Sequence, residues 1–253
     1  MLENNFKKHI KQLHQKKFRK EFGEFLIEGV KGVAEAIDTD AEIIAIIIDG
    51  KKRDDEKILE IVTKANSNDL DIFYAGRNDL DDIKTTETFP GIMAIVAVVD
   101  TQLDDLMRGG PIVCIDGVND PGNLGTIIRT GDWFGVSNIL LSEKSVEVYN
   151  EKVVRSTMGS IFRSNIFKSN DLLKTLEKLK GEGYSLYGFG LNGKIGNYKL
   201  ESGKVVYIFG SESHGIRKEV LELCDGVYTI EKRGEAESLN LGVAVGIALS
   251  RII

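Results

Sequence analysis

The chain has 253 residues, 42% of them hydrophobic and 28% charged, with a formal net charge of −6. These proportions suit a soluble globular protein of one large or two modest domains, and no apolar run approaches the ~18 residues of a membrane span. MLENNFKKHIKQLHQKK lacks the apolar core of a secretory signal, and Cys114 and Cys224 form no metal or disulfide pattern, so no metal site and a cytoplasmic location are expected.

The first twenty residues carry Lys7, Lys8, Lys11, Lys16, Lys17, Arg19 and Lys20 against Glu3 alone, a net of +6 that leaves −12 for the rest. A basic arm on an acidic body can touch a phosphate backbone, although a solvated helix accounts for the run as well. Strands are then expected at Phe25–Gly29, Glu42–Asp49, Asp71–Ala75 and Gly91–Val99. Between them Val30–Ile37 reads as a helix, Asp55–Ala65 places Ile58, Ile61, Val62 and Ala65 at helical spacing, and Asn78–Ile83 reads as a helical turn. This makes a small α/β domain over residues 1–100, arm included. Residues 101–111, polar and ending in Gly-Gly-Pro, read as a linker.

A second alternation fills residues 112–253. Strands are expected at Ile112–Asp116, Asn138–Ser142, Tyr184–Gly190, Lys204–Gly210 and Gly226–Ile230, with Ser164–Lys168 extended. Helices are expected at Gly122–Phe134, Glu151–Met158, Asp171–Lys180 and Ile216–Cys224, and Leu239–Ile253 is apolar nearly all round, as a buried helix would be. Strands alternating with helices imply an α/β domain with a parallel sheet covered on both faces.

Three segments rich in Gly, Asn and Ser follow strands, where open α/β sheets bind ligands. In Asn119–Gly135, Asn123 can start a helix and Arg129 stands six residues later among Ile127, Ile128 and Trp133. An Arg there is costly to bury unless paired, and a salt bridge to a nearby carboxylate is the plain alternative to a functional role. In Ile208–Ile216, Gly210 would let a ligand approach the backbone, and Glu212 or Ser213 could cap the following helix. In Glu237–Gly242, Ser238 or Asn240 could cap the last helix and still face a ligand. Gly188–Gly193 matches G-x-G-x-x-G, but no apolar amphipathic helix follows, so the dinucleotide fingerprint fails its context. His214 stands beside Ser211 and Ser213, but no G-x-S-x-G elbow occurs, which argues against a hydrolase.

Taken together, Asp-Pro-Gly-Asn-Leu-Gly-Thr-Ile-Ile-Arg-Thr, Phe-Gly-Ser-Glu-Ser-His-Gly-Ile and Glu-Ser-Leu-Asn-Leu resemble, in order, the three motifs of the SpoU (TrmH-like) family. These are RNA 2′-O-ribose methyltransferases of the SPOUT class. Lys17–Lys31 is similar to the L30e-like substrate-binding domain that precedes the catalytic domain in many members. The resemblance implies a trefoil knot in the C-terminal domain, a homodimer, and S-adenosylmethionine held against Gly210, Ile230, Ser238, Leu239 and Leu191. Carried over by motif, Arg129 activates the ribose hydroxyl, Asn123 supports it, Glu212 orients Arg129 within the chain or across the dimer interface, and Ser238 and Asn240 position donor and substrate. A free guanidinium stays protonated to above about pH 12, so anchoring a phosphate and a developing alkoxide is a more economical role for such a group than general base. Lys16, Lys17, Arg19, Lys20 and Arg155 are the candidate RNA contacts, with Arg163 a further one. Gly242 stands where members often carry Ser or Ala. Ribosomal RNA is the expected substrate; a tRNA enzyme, or a non-catalytic RNA-binding or ribosome-assembly protein on the same fold, are the alternatives.

Overall fold

The computed structural model describes residues 2–39, 41–84, 89–194 and 203–252. They form two compact units, one of Met1–Val99 with Tyr149–Phe162, the other of Asp100–Val148 with Arg163–Ile253.

The first unit begins with α1 (Asn4–Leu13) and α2 (Lys16–Phe22), then β1 (Glu24–Glu28), α3 (Val30–Asp38), β2 (Ile43–Asp49), α4 (Glu56–Ser67), β3 (Ile72–Ala75), α5 (Arg77–Ile83) and β4 (Ile92–Ala97). Its sheet has the order β1-β4-β2-β3, with β4 antiparallel to both neighbours and β3 parallel to β2. Ile10 and Leu13 of α1 are buried against Leu26, Ile47, Met93 and Ile95. The amphipathic spacing of Phe6, Ile10 and Leu13 thus makes the basic arm part of the core.

Packing consumes several of the arm's cations. Lys7 pairs with buried Asp79 at 3.0 Å and Lys11 with Asp82 at 2.9 Å. Arg19, expected to contact RNA, is only 4% exposed, and its guanidinium donates to the Leu13 carbonyl at 2.8 Å. That expectation is corrected: α2 turns Arg19 inward to satisfy the C-terminal end of α1, where unpaired carbonyls need donors. Lys16, Lys17 and Lys20 on the same short helix are exposed.

The segment 149–162, expected within the catalytic half, groups by its contacts with the first unit. There the Tyr149 ring lies 4.6 Å from that of Phe25, and Glu151 lies 2.6 Å from His14 Nδ1 in an ion-pair geometry. Arg155 is exposed on its helix, which ends at Met158 in a left-handed conformation.

The second unit holds α6 (Leu103–Leu106), β5 (Ile112–Asp116), α7 (Pro121–Trp133) and β6 (Asn138–Leu141). The helix Glu151–Thr157 of the first unit is α8; then follow β7 (Asn165–Lys168), α9 (Leu172–Gly181), β8 (Ser185–Lys194), β9 (Val205–Gly210), α10 (Lys218–Leu223), β10 (Gly226–Tyr228) and α11 (Leu241–Ile252). All six strands are parallel, in the order β10-β8-β9-β5-β6-β7. The expected linker is not free chain: Leu106 of α6 is fully buried beside Ile112, Cys114, Leu140 and the α9 leucines Leu172, Leu176 and Leu179. Among α11 residues, Val245, Ala248 and Leu249 are buried, whereas Val243 is 49% exposed. The last helix therefore keeps an open apolar edge, contrary to the expectation of full burial.

Candidate active site

The first two motif segments leave the carboxyl ends of the adjacent parallel strands β5 and β9, and the third follows β10. β5 ends at Asp116, and after a short turn Asp120 caps α7, its side chain accepting from the Asn123 backbone N–H at 2.8 Å with Pro121 at the first helical position. Asn123 therefore lies in the first turn of the helix; Asp120 starts it. β9 ends at Gly210, and Ser211–Gly215 closes as a small loop through two reciprocal backbone hydrogen bonds of 3.1 and 3.0 Å. The third segment runs exposed to Asn240, whose side-chain oxygen accepts from the Val243 N–H at 3.3 Å and caps α11.

One hydrogen-bonded chain joins all three. The Asn123 side-chain amide donates to Glu212 Oε1 at 2.6 Å, and Asn240 donates through Nδ2 to Asn123 Oδ1 at 2.9 Å. Asn240 thus serves as cap and site residue together. Neither Glu212 nor Ser213 caps α10, which begins later, at Lys218. Ser213 and His214 hydrogen-bond each other as sequence neighbours at 2.7 Å, which builds no acid-base relay.

Arg129 lies elsewhere on α7. Six residues of helix put it about 9 Å along the axis from Asn123 and roughly 120° around it. Its side chain is exposed and makes no hydrogen bond or ion pair among the described residues. The neighbouring carboxylate that could have held it, Asp132, instead takes Arg163, whose Nη2 lies 2.8 Å from Oδ2. So within this chain Glu212 orients Asn123, and Arg129 is left available; Arg163, a possible phosphate contact by sequence, is committed to Asp132.

Packing requires a glycine at 210, independently of any ligand approach. A Cβ there would lie 1.9 Å from the Gly215 carbonyl carbon and 2.1 Å from the Ile216 nitrogen, so the loop's own returning backbone occupies that space. Gly242 has a packing reason too. Its missing Cβ would stand 3.0 Å from Thr126 Cγ2 where α11 packs against α7, so a Ser or Ala there requires the Thr126 side chain to give by a few tenths of an ångström.

The remaining candidate residues fit a bound S-adenosylmethionine. Leu191, Gly210 and Ile230 come from the carboxyl ends of neighbouring β8, β9 and β10. Thr229 ties two of these ends together, donating to the Gly190 carbonyl at 2.8 Å and accepting from the Gly193 N–H at 2.5 Å. Leu191 is 71% exposed, and Leu239 and Ser238 are exposed on the third segment. Aliphatic side chains and backbone groups suit the flat heterocycle of such a donor. Gly188–Gly193 lies inside β8, with no strand-to-helix turn, so the failed dinucleotide fingerprint stays failed.

A second polar cluster escaped the sequence reading. Arg217 donates from its backbone N–H to Asp116 Oδ2 at 3.0 Å, from Nε to Asp116 Oδ1 at 2.8 Å, and from Nη1 to Glu143 Oε1 at 2.8 Å. Burial opposes the Arg217 charge, but the Asp116 and Glu143 carboxylates outweigh it and hold the guanidinium above its usual range. Burial likewise raises Glu143, while its backbone hydrogen bonds and Arg217 bring it below the usual carboxylate value. The available signal was an acid closing the apolar strand Ile112–Asp116 and an Arg directly after the second motif.

Residues 110–250 match the model of the SpoU rRNA Methylase family, and residues 4–94 that of the MRM3-like substrate binding domain. The chain belongs to the SpoU family. A member from Bacillus subtilis strain 168, 23S rRNA (guanosine(2553)-2′-O)-methyltransferase RlmP, is 31% identical over 95% of this chain and 92% of its own. The 23S rRNA (guanosine-2′-O-)-methyltransferase RlmB of Xanthomonas axonopodis pv. citri is 27% identical over 88% and 93%. Among solved structures, an AdoMet-bound rRNA methyltransferase from Sinorhizobium meliloti superposes with a TM-score of 0.84 at 28% identity, covering 99% of this chain and 95% of that one. The SpoU family and an enzyme of RNA methylation are thus what the three motifs led one to expect, and the α/β fold with a parallel sheet is what the alternation of strands and helices implied. Among the described residues no cluster of metal ligands occurs, and no helix is long and apolar enough to cross a membrane.

Proposed function

We propose that this SpoU protein transfers a methyl group from S-adenosylmethionine to a ribose 2′-OH of ribosomal RNA. The observation that carries the reading is the Glu212–Asn123–Asn240 hydrogen-bond chain, which fastens three motif segments together while Arg129 on the same helix stays unpaired among the described residues. S-adenosylmethionine supplies an electrophilic methyl group on sulfur. The chain's residues must then place a weak ribose nucleophile in line with it and stabilise the hydroxyl as its proton leaves. Arg129, exposed and available, anchors the adjacent phosphate and offsets the alkoxide charge. Asn123, locked by Glu212 and Asn240, fixes the first turn of the helix that carries Arg129. Ser238 and Asn240 position donor and ribose from the third segment, and Leu191, Gly210, Ile230 and Leu239 border the donor.

The first unit supplies RNA affinity through exposed Lys16, Lys17, Lys20 and Arg155. The working form is a cytoplasmic homodimer whose second unit is knotted. The open apolar edge of α11 and the 84% exposed Trp133 on α7, the helix against which α11 packs, support a partner subunit there. The test is a map of 2′-O-methylation in ribosomal RNA from a deletion strain and its parent, paired with purified Arg129→Ala. A methyl mark lost on deletion is expected, with Arg129→Ala inactive yet still binding S-adenosylmethionine by calorimetry. Wild-type turnover in Arg129→Ala would remove Arg129 from the mechanism, and unchanged marks in the deletion strain would refute the rRNA substrate.

A further inference from the structure

The loop that presents Glu212 is held at both ends. At its start, Gly210 lies under Gly215–Ile216 and the Ser211–Gly215 bridge closes the loop on itself. At its end stands Arg217, and the two carboxylates that grip it belong to other strands. Asp116 is the buried last residue of β5, one short turn before Asp120 and Asn123; Glu143 follows β6. The guanidinium thus bonds across three adjacent strand ends, and it joins the second motif to the first by contacts 101 residues apart.

Stability alone is a poor account of such a cluster. Withdrawing charges from water costs roughly what their attraction returns, so a partly buried ion triad contributes geometry more than free energy. What the triad does fix is the direction in which the chain leaves the Glu212 loop, relative to the strand that leads to Asn123.

We propose that Arg217, gripped by Asp116 and Glu143, is a positioning residue that sets the Glu212 loop so that Oε1 meets the Asn123 amide, and that it influences methyl transfer only through that bond. The inference rests on the methyltransferase reading above and goes beyond it by assigning three residues outside the motif positions. Arg217→Lys keeps the charge but cannot span both carboxylates in the same geometry.

The experiment is a double-mutant cycle of Arg217→Lys with Glu212→Gln, read by kcat, KM and S-adenosylmethionine Kd, together with the Asn123 side-chain amide resonance in the ligand-free protein. Arg217→Lys is expected to lower kcat about tenfold with Kd changed less than about threefold, and to shift the Asn123 amide signal. In the Glu212→Gln background the same substitution should cost less than about twofold, because the bond it acts through is already weakened. Fully multiplicative losses, or an unmoved Asn123 signal, overturn the proposal. Should Arg217→Lys fail to fold, Glu143→Gln leaves the Asp116 grip in place and takes its position in the same cycle, with the same outcomes supporting or overturning the proposal. A wild-type chain without turnover on RNA sinks the methyltransferase reading and this proposal with it, whereas an active wild type with multiplicative losses sinks the proposal alone.

Discussion

A primary amide presents a donor and an acceptor on one flat group, and Asn123 points them in opposite directions. Its NH2 meets the Glu212 carboxylate and its oxygen receives the Asn240 amide, so both neighbours are satisfied only by this side chain in one orientation. Asn123→Asp would set two carboxylates 2.6 Å apart on nearly the same atoms. The expected outcome is a kcat loss on the order of a hundredfold, since a like-charge contact costs more than a lost neutral bond. Adding Glu212→Gln should recover a good part of that loss, because a Gln amide can donate to the new Asp while Asn240 still finds an oxygen. Steady-state kinetics of the single and double variants decide it: a double variant no better than the single would break the assignment of that hydrogen bond. Of the candidate residues, Asn123, Glu212 and Asn240 meet; Arg129 does not join them within the chain, and Arg19 is buried elsewhere. Residue type alone could not have separated Arg19 from its exposed neighbours, because the buried guanidinium answers a carbonyl end of α1 that exists only after α1 and α2 have folded.

At the scale of elements, helix and strand positions were legible because they follow local rules. The helically spaced leucines of α9 and the β-branched run of β2 each act within a turn or two of chain, and α7 was legible too, although it starts at Asp120–Pro121 and not at Asn123. The loops between them obey crowding instead. Gly210→Ala would drive a methyl group into the Gly215–Ile216 backbone, and we expect about 1–3 kcal/mol of destabilisation together with loss of the Glu212–Asn123 bond. Gly246 on α11 is the control. A Cβ there would meet Thr130 Cγ2 at an ordinary 3.6 Å, so Gly246→Ala should be neutral or stabilising by up to about 1 kcal/mol through helix propensity. Urea unfolding of both variants checks the contrast; equal effects would mean that the close approach at Gly210 is absent in solution.

For the molecule as a whole, acid sensitivity follows from carboxylates tied into tertiary structure. Burial raises the Asp79 carboxyl, but hydrogen bonds from Lys7 and from the Leu2 and Gly76 N–H groups outweigh that and hold it below its ordinary 3.8. A carboxylate lowered on folding contributes stability that is present above its unfolded value and is lost as pH falls through its folded one. Unfolding free energy of the first unit should therefore drop as pH falls below about 3.8, and Asp79→Asn should flatten that acid limb while lowering stability near neutrality. A variant with the wild-type pH slope would show that Asp79 is not tied down as described. The sequence by itself determined the two α/β alternations, the strand ends at which Gly, Asn and Ser gather, and the SpoU family, since short-range periodicity and ordered motifs survive without a fold. Tertiary structure decided which side chains meet. Glu212 with Asn123, Arg217 with Asp116 and Asn240 with Asn123 are separated by 89, 101 and 117 positions. Only the order of parallel strands in the sheet closes such distances, and local sequence rules carry no record of that order.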